Sequence, residues 1–208
     1  MYLSGVDEVV IIGDKPVWIQ NITHIPFKDN PDPRFKERNI YFKMREACKL
    51  YDSFLMFNDD HFIHSQFDAN NFPVMYGGNL RSGWGNNTYR KSVTNTVEWL
   101  KGKGLETLNY DIHTPIVYES DKFVEIMKEL DWRVPYSYVI KSVYGNTLKL
   151  EGEKYPDVKV SSQMQFHRLR KFIDGRPIFS IGERSIGLPM KKLLEEYYPK
   201  KSKYEKEF

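Results

Sequence analysis

Phe54-Leu55-Met56-Phe57-Asn58-Asp59-Asp60-His61-Phe62-Ile63 is an apolar run broken by two carboxylates and an imidazole and then resumed. Charged groups at the end of a buried strand are costly unless something pairs with them. A divalent cation is an economical partner, because hard oxygen donors suit Mg²⁺ or Mn²⁺. Open α/β sheets also bind ligands beyond the carboxyl ends of their strands. The stretch therefore reads as a strand over 53–57 that delivers a site for a cation and a diphosphate. Asp59, Asp60 and His61 are its candidate metal ligands. Neighbouring residues on a strand face opposite ways, so one carboxylate is expected on the cation while the other reaches ribose or an active-site lysine. An Asp pair at a strand-to-loop junction is also an ordinary structural feature; the apolar flanks single this one out.

Upstream, Val6-Asp7-Glu8-Val9-Val10-Ile11-Ile12 is a β-branched run stopped by Gly13-Asp14-Lys15-Pro16, which predicts a strand and a turn. Residues 18–27 predict a connection and a second short strand, and 28–34 a proline-bearing polar loop. Residues 39–51 have helical spacing, with Ile40, Met44, Ala47 and Leu50 on one face. Downstream, 68–87 is rich in glycine and asparagine and reads as one long loop, either an acceptor loop or lid, or a decorative insertion. Helices are predicted over 88–101, 121–130 and 188–198. Residues 134–143 read as a strand, or as a helix of poor formers, with Gly145-Asn146 as a turn. Residues 157–160 and 177–181 are strand-like. The order is that of an α/β fold with a mixed sheet.

Composition sets limits. At 208 residues and 40% apolar, the chain can bury a substantial core, and its 15% aromatic content suits both cores and sugar or base sites. The 31 basic and 28 acidic residues leave a net charge of +3, which is no footprint for general nucleic-acid binding. Cys48 is the single cysteine, so no disulfide forms within the chain, which fits a reducing, cytoplasmic setting. No apolar run approaches the roughly 20 residues of a membrane span. The Lys/Glu-rich end over 200–208 reads as solvated.

A second polar constellation is Leu108-Asn109-Tyr110-Asp111-Ile112-His113-Thr114-Pro115-Ile116. On a strand Asp111 and His113 share a face. They then make a carboxylate–imidazole pair, with His113 as general base toward a hydroxyl; a satisfied structural histidine is the competing reading. His61 and His64 lack the cysteine or helical context of a zinc site. His24 reads as structural, and His167, between basic residues, as part of a solvated helix face. Gly77-Gly78 and Gly83-Trp84-Gly85 match neither a P-loop nor a GxGxxG fingerprint, and the hydrolase elbow and kinase motif set are absent.

Taken together, four stretches resemble the Stealth family of sugar-phosphate transferases and, more broadly, GT-A glycosyltransferases. Tyr2-Leu3 through Val9-Val10-Ile11-Ile12-Gly13-Asp14 and Pro16-Val17-Trp18-Ile19 resemble the family's strand, polar turn and Pro-x-Trp-Leu segment. Residues 54–62 are similar to its Asn-Asp-Asp block, and His113-Thr114-Pro115 to its His-x-Pro block. Tyr198-Pro199-Lys200-Lys201-Ser202-Lys203-Tyr204-Glu205 is similar to its closing segment. The resemblance implies a single GT-A-like domain over 1–208, N-terminally shortened because the opening strand block of the family is missing. It implies Mg²⁺ or Mn²⁺ on Asp59 and Asp60, and His113 as catalytic base with Asp111 orienting it. Asn39 and Asn58 are further donor-binding candidates, and Glu183, which stands where the family has a late Asn-Asp segment, is a candidate for a further metal ligand. Arg81, Arg90 and Lys91 are candidates to balance phosphate charge, and Lys141 or Arg133 to stand in for an arginine-rich segment. The implied partners are a nucleotide sugar and a hydroxyl acceptor, a glycan or a modified nucleobase, with a homo-oligomer left open. Sugar-1-phosphate transfer and a non-catalytic binding module are the alternatives to sugar transfer.

Overall fold

A computed structural model describes residues 2–82 and 87–206. In chain order the elements are β1 (Leu3–Ser4), β2 (Val10–Ile12), β3 (Thr23–Ile25), α1 (Lys36–Cys48), β4 (Ser53–Met56), β5 (His61–Ile63), β6 (Phe67–Asp68) and β7 (Met75–Asn79). There follow α2 (Thr88–Gly102), β8 (Leu108–Asn109), β9 (Ile116–Glu119), α3 (Ser120–Met127), α4 (Ile140–Leu148), β10 (Glu153–Lys154), β11 (Lys159–Val160), α5 (Phe166–Asp174), β12 (Ile178–Ile181) and α6 (Leu188–Tyr197). The protein is mixed α/β. Its described strands form small separate sheets: β1 with β6, β2 with β3, β4 with β9, β10-β7-β8 and β11-β12-β5.

Residues 53–63 join two of these sheets. The first half, β4, pairs antiparallel with β9, from Ser53 opposite Glu119 to Met56 opposite Ile116. The second half, β5, pairs antiparallel with β12, whose other edge takes β11 in parallel. The Asn58–Asp60 turn lies between them. The register of β4 with β9 runs toward Asp59 on one strand and back toward His113 on the other, so both polar constellations emerge at the same end of that pair.

The halves face different larger cores and share a smaller one, where Leu55, Phe57 and Ile63 meet Phe72, Val158 and Ile178. Tyr41 and Met44 from α1, Ile116 and Tyr118 from β9, Phe123 and Met127 from α3, and Val143 and Tyr144 from α4 share the largest one. Tyr41 stacks on Trp132 with ring centroids 4.1 Å apart. Much of the aromatic content is spent in this way. Val160, Leu169, Ile173, Phe179, Met190 and Leu193 form a second core beneath β11, β12, α5 and α6.

The structure departs from the sequence reading in several places, beginning with the one mixed sheet expected, which is divided into small separate sheets. Residues 134–143 do not form a strand: α4 starts at Ile140 and runs through Gly145 and Asn146. The long loop over 68–87 contains β7, although Gly83–Asn86, part of the expected acceptor loop or lid, lie outside the described residues. Helix α1 ends before Leu50, which is exposed rather than on the apolar face. The C-terminal segment is tied down by its backbone: the Gln20 N–H donates to the Tyr204 carbonyl, and the Lys206 N–H to that of Trp18. Among the described residues no helix is long and apolar enough to cross a membrane.

Candidate active site

The two carboxylates after β4 have different surroundings. Asp59 is exposed at the turn, whereas Asp60 is turned inward. Asp60 Oδ2 accepts from Ser180 Oγ of β12 at 2.9 Å and from Lys159 Nζ at 3.2 Å. Burial pushes the Asp60 carboxyl up, but the Ser180 and Lys159 bonds outweigh it and hold the group below its ordinary value. Asp60 Oδ1 is buried and has no hydrogen-bond partner.

The His61 side chain is wholly buried. Burial, reinforced by the Lys141 charge, pushes its imidazole down to about 3, so it is neutral near pH 7. The Asn58 backbone N–H donates to Nδ1 at 3.3 Å. A neutral ring that accepts at Nδ1 carries its hydrogen on Nε2. Nε2 is then a donor facing Asp60 Oδ1 across 3.8 Å. In this arrangement the ring's one in-plane lone pair faces the Asn58 N–H, and His61, expected as a metal ligand, presents a donor toward Asp60.

His113 sits in a turn rather than on a strand. Its φ of 60° is in the left-handed region, where few residues other than glycine are found. The period of two that would pair it with Asp111 does not apply there. The carboxylate on His113 is Asp157: His113 Nδ1 lies 2.9 Å from Asp157 Oδ1, which also accepts the Lys159 backbone N–H at 2.9 Å. Burial pushes the Asp157 carboxyl up, and the His113 bond and charge bring it below its usual value. Asp111 instead accepts from the Tyr89 hydroxyl at 3.0 Å and lies 3.9 Å from Lys141 Nζ.

Lys141 is buried in the first turn of α4 and donates to the Thr114 carbonyl at 2.8 Å, next to His113. Burial pushes its ammonium down, opposed by the charges of Asp111, Asp60, Asp157 and Glu37. Burial and the Asp111 charge push the Glu37 carboxyl up to about 7. Lys141 thus senses carboxylates from α1, both polar turns and the segment before β11. Perturbed titratable groups gathered in this way mark functional sites more often than ordinary surface.

The remaining predicted residues are more dispersed. Asn39 spends its amide on the Asn30 backbone, accepting the N–H at 3.0 Å and donating to the carbonyl at 2.9 Å. Lys91 lies over the Tyr136 ring, 4.4 Å from its centroid. Arg81 is exposed, and Arg90 is exposed on the first turn of α2. Arg133 pairs with Asp131 on the surface. Glu183 is exposed on the turn after β12, close in sequence to Ile181, whose N–H donates to the Asp60 carbonyl. Burial pushes the Cys48 thiol up, opposite to what a nucleophile needs.

Among the described residues no group of three or more His, Cys, Asp and Glu side chains is arranged to hold a metal ion. Mg²⁺, however, commonly takes only one or two carboxylates and keeps waters and substrate phosphates as its other ligands. The exposed carboxylate of Asp59 is open to such a cation, and Asp60 keeps one buried oxygen, Oδ1, without a hydrogen-bond partner. No protein-family model matches the chain, and no curated protein matches it.

Several participants were missing from the sequence reading: Ser180, Tyr89 and Glu37, and above all Asp157 and Lys159. Asp157 is remote in sequence from His113, and its sequence marks it only as the first residue of a strand-like stretch. Lys159 follows from the expectation of a lysine beside one carboxylate, but nothing in the sequence says which lysine.

Proposed function

We propose that this protein is a metal-dependent GT-A-type glycosyltransferase that moves a sugar from a nucleotide-sugar donor to a hydroxyl acceptor. The observation that carries the reading is the antiparallel register of β4 with β9, which brings the Asp59-Asp60 turn and the His113 turn to one end of the same strand pair. Asp59 and Asp60 would hold Mg²⁺ or Mn²⁺, which supplies neutralisation of the charge that develops on the leaving diphosphate. With Nδ1–H given to Asp157, His113 Nε2 keeps its lone pair, and the side chain is 25% exposed. It takes the proton of the acceptor hydroxyl as that oxygen bonds to the anomeric carbon and the bond to the diphosphate oxygen breaks. Lys141 braces the turn through the Thr114 carbonyl.

The test is incubation with Mn²⁺ and a panel of nucleotide sugars, read by thermal shift and by donor hydrolysis. A metal-dependent shift with slow hydrolysis of at least one donor is expected. Neither effect with any donor would overturn the transferase reading and favour a binding module.

A further inference from the structure

An open groove of about 530 Å³ lies between β7, β8 and the segment that follows β10. Gly77 and Gly78 line it, with Asn109 and Tyr155 beside them, and it reaches Asp157, the carboxylate bonded to His113. We propose that this groove is the acceptor subsite and that it takes a neutral pyranose ring. The inference rests on the reading of His113 as the base and adds to it the place and chemical class of the acceptor.

Three observations carry it. The first is the glycine pair. A Cβ on Gly77 would stand 2.9 Å from Ile112 Cγ2, so packing accounts for that glycine. A Cβ on Gly78 would meet nothing within 4 Å, and Gly78 is not among the positive-φ glycines. Neither packing nor backbone conformation requires a glycine there, and what its bare backbone provides is open space. Gly78 also falls at the break in register between the Gly77–Asn109 and Asn79–Leu108 pairs. Such a break leaves one residue out of the ladder, and its backbone groups suit ligand hydroxyls.

The second is the set of polar groups left over at the rim. Asp157 Oδ1 is used twice, by His113 and by the Lys159 N–H, which leaves Oδ2 as an acceptor. Asn109 Oδ1 is used by the Asp111 N–H at 2.9 Å, which leaves Nδ2 as a donor, 3.6 Å from the Cβ position of Gly77. A carboxylate oxygen and an amide NH₂ are matched to a hydroxyl donor and a hydroxyl acceptor on one ring. The third is Tyr155 with Pro156, flat apolar surface of the kind that covers the C–H face of a sugar. The volume is within the usual range for small-molecule sites. Lys154 and Asp157 both line the groove, one cation against one anion, so it has no net charge to attract an ionic group, which suits a neutral ring.

Amide NMR of the full chain, titrated with methyl glycosides of glucose, galactose, mannose and N-acetylglucosamine up to tens of millimolar, tests this. At least one glycoside is expected to give saturable shifts at Gly77, Gly78, Asn109 and Tyr155. Binding should weaken at least about tenfold in Gly78→Leu, which fills open space, and in Tyr155→Leu, which removes the ring. Absence of saturable shifts there with every glycoside, or shifts that survive both substitutions, would overturn the proposal. The readout needs no donor, metal or turnover. Glycoside binding without donor hydrolysis would leave the subsite standing and the transferase reading fallen, and hydrolysis without glycoside binding would do the reverse.

Discussion

The two polar turns, 57–61 and 109–114, have similar makeup but opposite states. In the first, Asp60 and His61 are drawn inward and their charges are managed by the protein: Ser180 and Lys159 bond the carboxylate, and burial keeps the imidazole neutral. In the second, His113 stands at the surface in a left-handed turn, held from one side by Asp157, with the other ring nitrogen available. The difference teaches a division of labour. On the proposed reading, the first turn supplies carboxylate charge for a cation and the second leaves one imidazole nitrogen open to a hydroxyl. Lys141 links them, since its ammonium bonds the second turn and acts electrostatically on His61 in the first.

The largest effect should come from the first turn. Asp60→Asn is expected to lower Mn²⁺-dependent donor turnover by about a thousandfold through loss of a carboxylate that would hold the cation on the diphosphate. Its cost in stability should be only about 1 kcal/mol, because the Lys159 partner is partly solvated. Urea denaturation and initial rates on the same preparation separate the two. Next comes the second turn: Asp157→Asn should reduce transfer by about ten- to a hundredfold through a misplaced or wrongly protonated imidazole, with the metal requirement unchanged. If the metal requirement shifted instead, the division between the turns would be wrong.

A smaller effect concerns Glu37, next to Asp111 and Lys141 in the linking cluster. Its carboxyl is raised from 4.5 to about 7 in the folded protein. Between those values the folded chain keeps a proton that the unfolded chain has released, so this group lowers stability as pH rises through the window. The contribution is about 3–4 kcal/mol at most. Denaturation at the two ends of the window should show Glu37→Gln losing that slope relative to the parent. The smallest effect is on fold stability in Asp59→Asn, which should stay within about 0.5 kcal/mol of the parent because the side chain is exposed. The same variant should need more Mn²⁺ for half-maximal turnover.

Much of this was legible in the sequence where one period dominates. β4, α2 and α6 fall close to their predicted spans because an apolar run or a helical repeat sets each one. α4 was obscured by Gly145-Asn146, a turn pair by local chemistry. A Cβ on Gly145 would stand 2.6 Å from Tyr110 Cδ2, so the glycine is there to admit that ring. The Asn146 side chain donates to the Leu108 and Ser142 carbonyls and accepts the Leu108 N–H. Tertiary partners decide both residues, and spacing does not carry that information. The same holds for the site. Asp59, Asp60 and His113 stand out as residue types in context, whereas the His113–Asp157 pair depends on a left-handed turn and on a contact between segments remote in sequence. The contact of the Asn58 N–H with His61 Nδ1 is likewise not carried by spacing.

The central claim is that the two turns share one site, and paramagnetic broadening by Mn²⁺ tests it without a substrate. Sub-stoichiometric Mn²⁺ added to isotopically labelled protein should broaden the Asn58–His61 amides and the His113 ring signals together, and the broadening should vanish in Asp60→Asn. Broadening at one turn with the other left sharp, or broadening unchanged by Asp60→Asn, would contradict the account.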